Sequence, residues 1–318
     1  MSFFSVVIPL FNKEAHIEAT LNSVLNQSFA DLPAGKAGFE IIIVNDGSTD
    51  KSLEKVKAIN DKRIKIFSQE NAGASIARNH GITKAENEHI ALLDADDIWQ
   101  PNHLEEHHKS IVKFPEAALY CTAYNLSLSP NFTHSASYSF SGKEQISIIP
   151  DYFEASMIHP IAMTSGVVFK KKDFIEIGSF NPKVLSGQDI DLWIRFGLKK
   201  QIVFNRTITT GYDKTIANSL SKGDFRKSKC ALFNSYKSEE KVNLSLKKYL
   251  DLNRYSLAVQ CKYSDDHKVL KILKENIDLN SLNFKQKIIL FAPNSLVRSL
   301  KRFHSFLIKK NIYVTSFQ

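Results

Sequence analysis

The sequence predicts an α/β fold with a mostly parallel, doubly wound sheet and a helical C-terminal extension. Three features carry that expectation. Short β-rich apolar runs alternate four times with segments whose apolar residues recur every three or four positions, all before about residue 115. Polar and acidic residues follow directly on the ends of three of those runs, where an open parallel sheet gathers its ligand contacts. From about residue 220 onward, Leu and Lys interleave at helical spacing.

Phe3 to Leu10 is the first strand, and Ile17, Leu21, Val24 and Leu25 then mark one face of a helix. Leu32 to Gly38 reads as a surface loop by its Pro and Gly content. Phe39 to Asn45 is the second strand, and Asp46-Gly47-Ser48-Thr49-Asp50 turns into a helix near Lys51 to Ile59. Ile64 to Ser68 is a third strand, and a Gly-containing loop at Asn71 to Ser75 opens a helix through Ile76, Ala77 and Ile82. Ile90 to Leu93 is the fourth strand, with Pro101 signalling the next helix. The pattern then loosens. Ala117 to Tyr124 and Thr164 to Lys170 are strand candidates, residues 125–160 are polar and aperiodic, and Gln188 to Phe196 reads as helix.

Composition bounds the function classes. With 318 residues and 43% hydrophobic content, the chain can bury a full core as one large domain or two smaller ones. No apolar run nears the roughly 20 residues a membrane-spanning helix needs. The stretch from Met1 to Ser5 lacks a basic region, which argues against a signal peptide. Cys121, Cys230 and Cys261 are too dispersed for a disulfide framework or a Cys-based metal site, so a reduced, cytoplasmic setting is expected. The net charge of +9 is unevenly spread. Residues 1–198 hold 18 Lys and Arg against 24 Asp and Glu, and residues 199–318 hold 24 against 9. The two parts are therefore −6 and +15.

The strongest chemical signal is Ile90-Ala91-Leu92-Leu93-Asp94-Ala95-Asp96-Asp97. Three carboxylates within four residues repel one another, and a hard divalent cation such as Mg²⁺ or Mn²⁺ would relieve that repulsion. The competing reading is a solvated turn in which Asp97 caps the next helix. Asp46 suits a ribose hydroxyl or a base N–H, or else caps its own following helix. Arg78 suits a phosphate, an aspartate, or both in turn.

These pieces, in this order, resemble the family 2 glycosyltransferases, inverting enzymes of the GT-A fold that use nucleotide-sugars. The matching stretches are Val6-Val7-Ile8-Pro9-Leu10-Phe11-Asn12-Lys13-Glu14, Ile42-Ile43-Val44-Asn45-Asp46-Gly47-Ser48-Thr49-Asp50, Asn71-Ala72-Gly73-Ala74-Ser75-Ile76-Ala77-Arg78-Asn79 and Leu92-Leu93-Asp94-Ala95-Asp96-Asp97. The resemblance spans roughly residues 3–210 and implies a GT-A catalytic domain over 1–215, with a donor half to about 115 and an acceptor half from about 116. A basic helical region over 216–318 follows. It further implies that Pro9, Phe11, Asn12, Glu14 and Asp46 hold the nucleoside, that Arg78 and Ala95 lie near the donor, that Asp94 approaches the ribose, and that Asp96, with Asp94, carries the Mn²⁺ or Mg²⁺. Gly187-Gln188-Asp189-Ile190-Asp191-Leu192-Trp193 resembles the family's later Glu-Asp motif, with Gln188 in place of Glu. Asp189 is then the base for the acceptor hydroxyl, Asp191 is structural, and Trp193 is core. The Gln-x-x-Arg-Trp signature of processive synthases does not occur, so a single transfer per encounter is expected.

The partners this implies are a nucleotide-sugar donor, with UDP-sugars foremost, and a glycan or lipid-linked acceptor. Two other readings stay open: a metal-dependent sugar nucleotidyltransferase and a non-catalytic nucleotide-sugar binder. The first should open with a Gly-rich basic loop after its first strand, where this chain has Leu10-Phe11-Asn12-Lys13-Glu14. Nucleic-acid binding is disfavoured, because the basic residues form no recognisable module and the acidic rim would repel a phosphate backbone. Leu290 to Ile312 reads as an amphipathic helix with Leu296, Val297, Leu300, Phe303, Phe306 and Leu307 among basic residues. It either packs on the catalytic domain or lies on an anionic membrane, which would make the protein peripheral on the inner face of the cytoplasmic membrane.

Overall fold

The computed structural model describes residues 3–31, 38–213, 215 and 223–315, so nearly all of the loop expected at Leu32 to Gly38 lies outside the described residues. The first half alternates strand and helix: β1 (Phe4–Leu10), α1 (Ile17–Leu25), β2 (Phe39–Asp46), α2 (Ser52–Ala58), β3 (Ile64–Gln69), α3 (Ala74–Lys84) and β4 (His89–Leu92). These four strands are parallel in the order β3-β2-β1-β4, with Val7 of β1 opposite both Ile42 of β2 and Leu92 of β4. Helices cover both faces, which is why β1 and β2 are near-continuous apolar runs rather than alternating ones. Successive β1 side chains enter opposite layers. Val6 and Ile8 join α1 in one apolar cluster, and Val7 joins Ala77 and Ile82 of α3 in the other.

The second half completes the sheet differently. After β5 (Ile98–Trp99) and α4 (His103–Lys113) come β6 (Leu119–Ser129), β7 (Phe132–Ser135), β8 (Ile146–Ile149), α5 (Tyr152–Ala155), β9 (Val167–Lys170), α6 (Lys171–Glu176), α7 (Gln188–Lys199) and β10 (Ile202–Asp213). The main path runs β3-β2-β1-β4-β9-β6-β10-β5. β9 is antiparallel to both β4 and β6, while β6 and β10 are parallel. Short antiparallel strands finish the edges, with β7 on β6 and β8 on β10.

The C-terminal region is helical, as expected: α8 (Arg226–Ser235), α9 (Leu244–Tyr263), α10 (His267–Asn276), α11 (Phe284–Phe291) and α12 (Asn294–Lys309). One apolar cluster runs from Val7 through Phe153 and Trp193 to Phe233, Tyr249 and Leu273, so α8 to α10 share a core with the sheet. Trp193 is 1% exposed, with ring centroids 5.9 Å from Phe196 and 6.5 Å from both Phe169 and Phe180. It is a core residue. The single amphipathic helix expected from Leu290 to Ile312 is two helices. Pro293 has no N–H to continue a helix, and Ala292 before it is extended at ψ 154°.

Candidate active site

The segments leaving β1 to β4 meet at one rim. The first two brace each other. Asn12, at φ 50°, accepts from the Thr49 amide at 2.8 Å, and its own amide donates to Ser48 Oγ at 3.2 Å. Glu14 Oε2 accepts from the Lys51 amide at 2.9 Å, and the Glu14 amide donates to Asp50 Oδ2 at 3.0 Å.

Asp46 is buried and commits both oxygens to the loop after β3. Oδ1 accepts from the Ala72 amide at 2.9 Å and Gln69 Nε2 at 2.8 Å, and Oδ2 accepts from the Gly73 amide at 2.9 Å. Gly47 sits at φ +73°, and a Cβ there would meet the Asn71 amide nitrogen at 2.9 Å, so the two loops pass backbone against backbone. Asp46 does not cap α2. Asp50 instead accepts from the Ser52 amide at 2.9 Å.

The braced loop delivers α3 and, on it, the buried Arg78. Its Nη2 donates to Asp94 Oδ1, its guanidinium lies 5.4 Å from the Phe180 ring centroid, and its Nε has no hydrogen-bond partner among the described residues. Beyond β4, the Asp97 amide donates to the Asp94 carbonyl at 3.0 Å and closes the turn. Ser165 joins both sides of it. Its Oγ donates to Asp97 Oδ2 at 2.6 Å and accepts from the Asp94 amide at 3.0 Å. Burial first, and the Asp94 charge second, push the Asp97 carboxyl well above the usual carboxylate range. Asp97 leads into β5 and caps no helix. Asp96 accepts from Lys13 Nζ at 2.5 Å. Ala95 is buried, and its carbonyl accepts from Thr20 Oγ1 of α1 at 3.0 Å.

Asp189 occupies the first turn of α7, two residues after Gly187 at φ +81°, and its side chain makes no hydrogen bond or ion pair among the described residues. Asp191 is turned away and engaged. Its Oδ2 accepts from Arg195 Nη2 at 2.6 Å and Nε at 3.1 Å, and its Oδ1 accepts from the Tyr236 hydroxyl at 2.6 Å. Arg195 continues to the carbonyls of Ile177 and Ser179 at 2.8 and 2.7 Å. Two acids two positions apart thus differ in their contacts: Asp191 anchors the helix, and the Asp189 side chain stays unpaired among the described residues.

A cavity of about 350 Å³ is lined by Arg78, Asp94, Asp96 and Asp97 together with Asp189, and Lys229 of α8 lines it as well. Pro9, Phe11, Asn12, Glu14, Asp46 and Ala95 do not line this cavity. Asn12, Glu14 and Asp46 shape the loops around it, and Phe11 stands 44% exposed at the end of β1. A larger cavity, about 1060 Å³, lies between α9, α12 and β6, but among the described residues no acidic side chain lines it. Chemistry, not volume, marks the site.

The donor set suits a divalent cation. Lys13 and Arg78 already neutralise Asp96 and Asp94, yet Asp189 and Asp213 outnumber Lys229 and leave the cavity wall with surplus negative charge. Among the described residues no three His, Cys, Asp or Glu side chains converge to hold a metal by themselves. Asp94 and Asp96 would therefore supply hard oxygen ligands, and a bound diphosphate the remainder.

Residues 5–177 match the profile of Glycosyl transferase family 2. The chain belongs to that family. A Rickettsia bellii protein described as an uncharacterized glycosyltransferase is 30% identical over 234 residues, 69% of this chain and 29% of its own length. The chondroitin synthase of Pasteurella multocida is 26% identical across 98% of this chain and 31% of its own length. The chain thus spans less than a third of these curated relatives. Among solved structures, S. aureus TarS 1–349 in complex with UDP-GlcNAc superposes with a TM-score of 0.71 at 17% identity, covering 98% of this chain and 93% of that one. The Pyrobaculum calidifontis mannosyltransferase PcManGT, in complex with GDP-Man and Mn²⁺, gives a TM-score of 0.57 at 14% identity, covering 97% and 86%. The expected GT-A fold is present.

Three residues of this family 2 glycosyltransferase escaped the sequence reading. Lys13 stood in plain view inside the first motif, and the requirement for a counter-charge to Asp96 could have singled it out. Ser165 and Lys229 gave no such signal. One is a serine at the start of a strand candidate, and the other is one lysine among many.

Proposed function

We propose that this chain transfers a hexosyl or N-acetylhexosaminyl group from a nucleoside-diphosphate sugar to a hydroxyl of a glycan or lipid-linked acceptor, with inversion. The observation that carries this reading is that Asp189, whose side chain has no hydrogen bond or ion pair among the described residues, lines the same cavity as Asp94 and Asp96. The acceptor oxygen attacks the anomeric carbon, the bond from that carbon to the diphosphate oxygen breaks, and the acceptor proton passes to Asp189. Asp94 and Asp96 would hold Mn²⁺ or Mg²⁺, which neutralises charge on the departing diphosphate when bound. Arg78 and Lys13 keep the two carboxylates in place, and Lys229 adds positive charge at the cavity wall. A UDP-sugar is the first donor to try, because a neighbour in fold binds UDP-GlcNAc. A lipid-linked acceptor would come within reach from a peripheral position on the inner face of the cytoplasmic membrane.

The test pairs binding with turnover. A thermal-shift panel of UDP, GDP, dTDP and CMP, each with and without Mn²⁺, should give a metal-dependent rise with one nucleoside diphosphate. Asp189→Asn should keep that rise and lose transfer by about 10²–10⁴-fold, the range for a positioned general base. Full transfer by that variant would remove Asp189 from the mechanism. No shift with any nucleotide would withdraw the donor site.

A further inference from the structure

Helices α11 and α12 each carry an apolar stripe that the fold leaves uncovered. On α11, Phe284, Ile288 and Phe291 follow the i, i+4, i+7 spacing of one helix face. On α12, Leu296, Leu300 and Phe303 repeat it, and Phe306 lies beside them. Each of these seven side chains is between 43% and 77% exposed, whereas Val297 is the single buried residue of α12. Leaving such a run in water is unfavourable, and contiguous exposed apolar surface marks a contact site.

The charge around the stripes identifies what covers them. Between residues 284 and 310 the chain has Lys285, Lys287, Arg298, Lys301, Arg302, Lys309 and Lys310, and no Asp or Glu occurs after Asp278. Asp265 of the α9–α10 turn answers Arg298 at 2.6 Å, and Lys301 lies 3.7 Å from the Tyr263 ring centroid. Arg302, Lys309 and Lys310 are exposed. A second copy of the chain would bring two such basic faces together, which Coulomb repulsion opposes. A surface that is apolar beneath and anionic at its boundary answers both features at once.

We propose that α11 and α12 seat this protein on an anionic lipid bilayer, with Phe284, Ile288, Phe291, Phe303 and Phe306 entering the headgroup boundary and the basic residues meeting lipid phosphates. The proposal goes beyond the transfer reaction and does not rest on it. Co-sedimentation of the full chain with vesicles tests it. One set is phosphatidylcholine alone, and the other mixes phosphatidylcholine with phosphatidylglycerol. The chain should sediment with the mixed vesicles only, and less as salt rises. Phe284→Ser with Phe303→Ser, and separately Arg302→Glu with Lys309→Glu, should each lower the bound-to-free ratio by about tenfold or more. All four positions are exposed, so melting temperature and the nucleotide-induced shift should stay as in the parent, which separates this outcome from failure of the donor site. Absent or equal sedimentation on the two lipid mixtures would overturn the proposal, as would unchanged binding by both variants. Concentration-dependent self-association abolished by the Phe replacements would also overturn it, by giving the face to a second copy.

Discussion

Asp96 already carries a counter-charge, because the Lys13 ammonium stands where the metal of the proposed donor site would compete for the same carboxylate. Asp96→Ala should therefore abolish the Mn²⁺ dependence of nucleotide affinity while leaving the fold intact. Calorimetric titration of UDP with and without Mn²⁺ would read it, and an unchanged metal dependence would remove Asp96 as a ligand. At this scale the sequence was legible where residues are grouped by chemistry. Asp94, Asp96, Arg78 and Asp189 do meet in one cavity. It was less legible where a polar residue serves a neighbouring loop. Asn12, Glu14 and Asp46 stand in the motifs whose resemblance implies nucleoside contacts, and their hydrogen bonds to Thr49, Lys51, Ala72 and Gly73 add a loop-bracing part, which depends on backbone approach that no motif encodes.

Among the elements, α3 illustrates how packing overrides propensity. Gly81 faces β1 and β2, and a Cβ there would meet Val7 Cγ1 at 2.5 Å and Val44 Cγ2 at 3.1 Å. Alanine would gain about 1 kcal/mol in helix propensity. Overpacking against two stiff, fully buried valines costs about 1–3 kcal/mol. Gly81→Ala should thus be neutral to destabilising, up to about 2 kcal/mol by those two ranges. Chemical denaturation would check it, and clear stabilisation would mean that the strands can yield. For α7, Asp191→Ala leaves Arg195 without its carboxylate and Tyr236 without its acceptor. A loss of about 3–5 kcal/mol is expected for opening a largely buried pair. Residual transfer measured well below the melting temperature should remain, since Asp191 does not face the cavity. The strands β1 to β4 and their helices were readable because their apolar runs are long and regular. β5, β7, β8 and β10 were not, since edge pairings of two to four residues and a strand as polar as Asn205 to Thr210 leave no clear period.

Over the whole molecule, buried imidazoles couple stability to acidity. Burial holds His107 down to about 3 and His89 down to about 4, and drives His103 well below the usual histidine value. Neither ring nitrogen of His107 has a hydrogen-bond partner among the described residues. In the unfolded chain these groups take up protons near pH 6.5. Below that pH the unfolded state binds more protons than the folded one, so stability is full above about pH 6.5 and falls steadily toward pH 4. Melting temperatures across that range should decline, and His107→Phe should flatten part of the slope. A pH-independent melting temperature would contradict the burial of these rings. The basic character of the last third was plain in the sequence, but its packing was not, because the apolar cluster that joins α9 to Trp193 and Phe153 is set by contacts distant along the chain. That joint core also governs how such a protein can diversify. Exchanging residues 216–318 with those of a relative would set foreign side chains against Trp193, remove the hydroxyl that holds Asp191, and replace the lysine at the cavity wall. A hybrid joined near residue 215 should therefore melt below both parents unless the residues facing Phe153 and Trp193 are exchanged together with the helices that cover them.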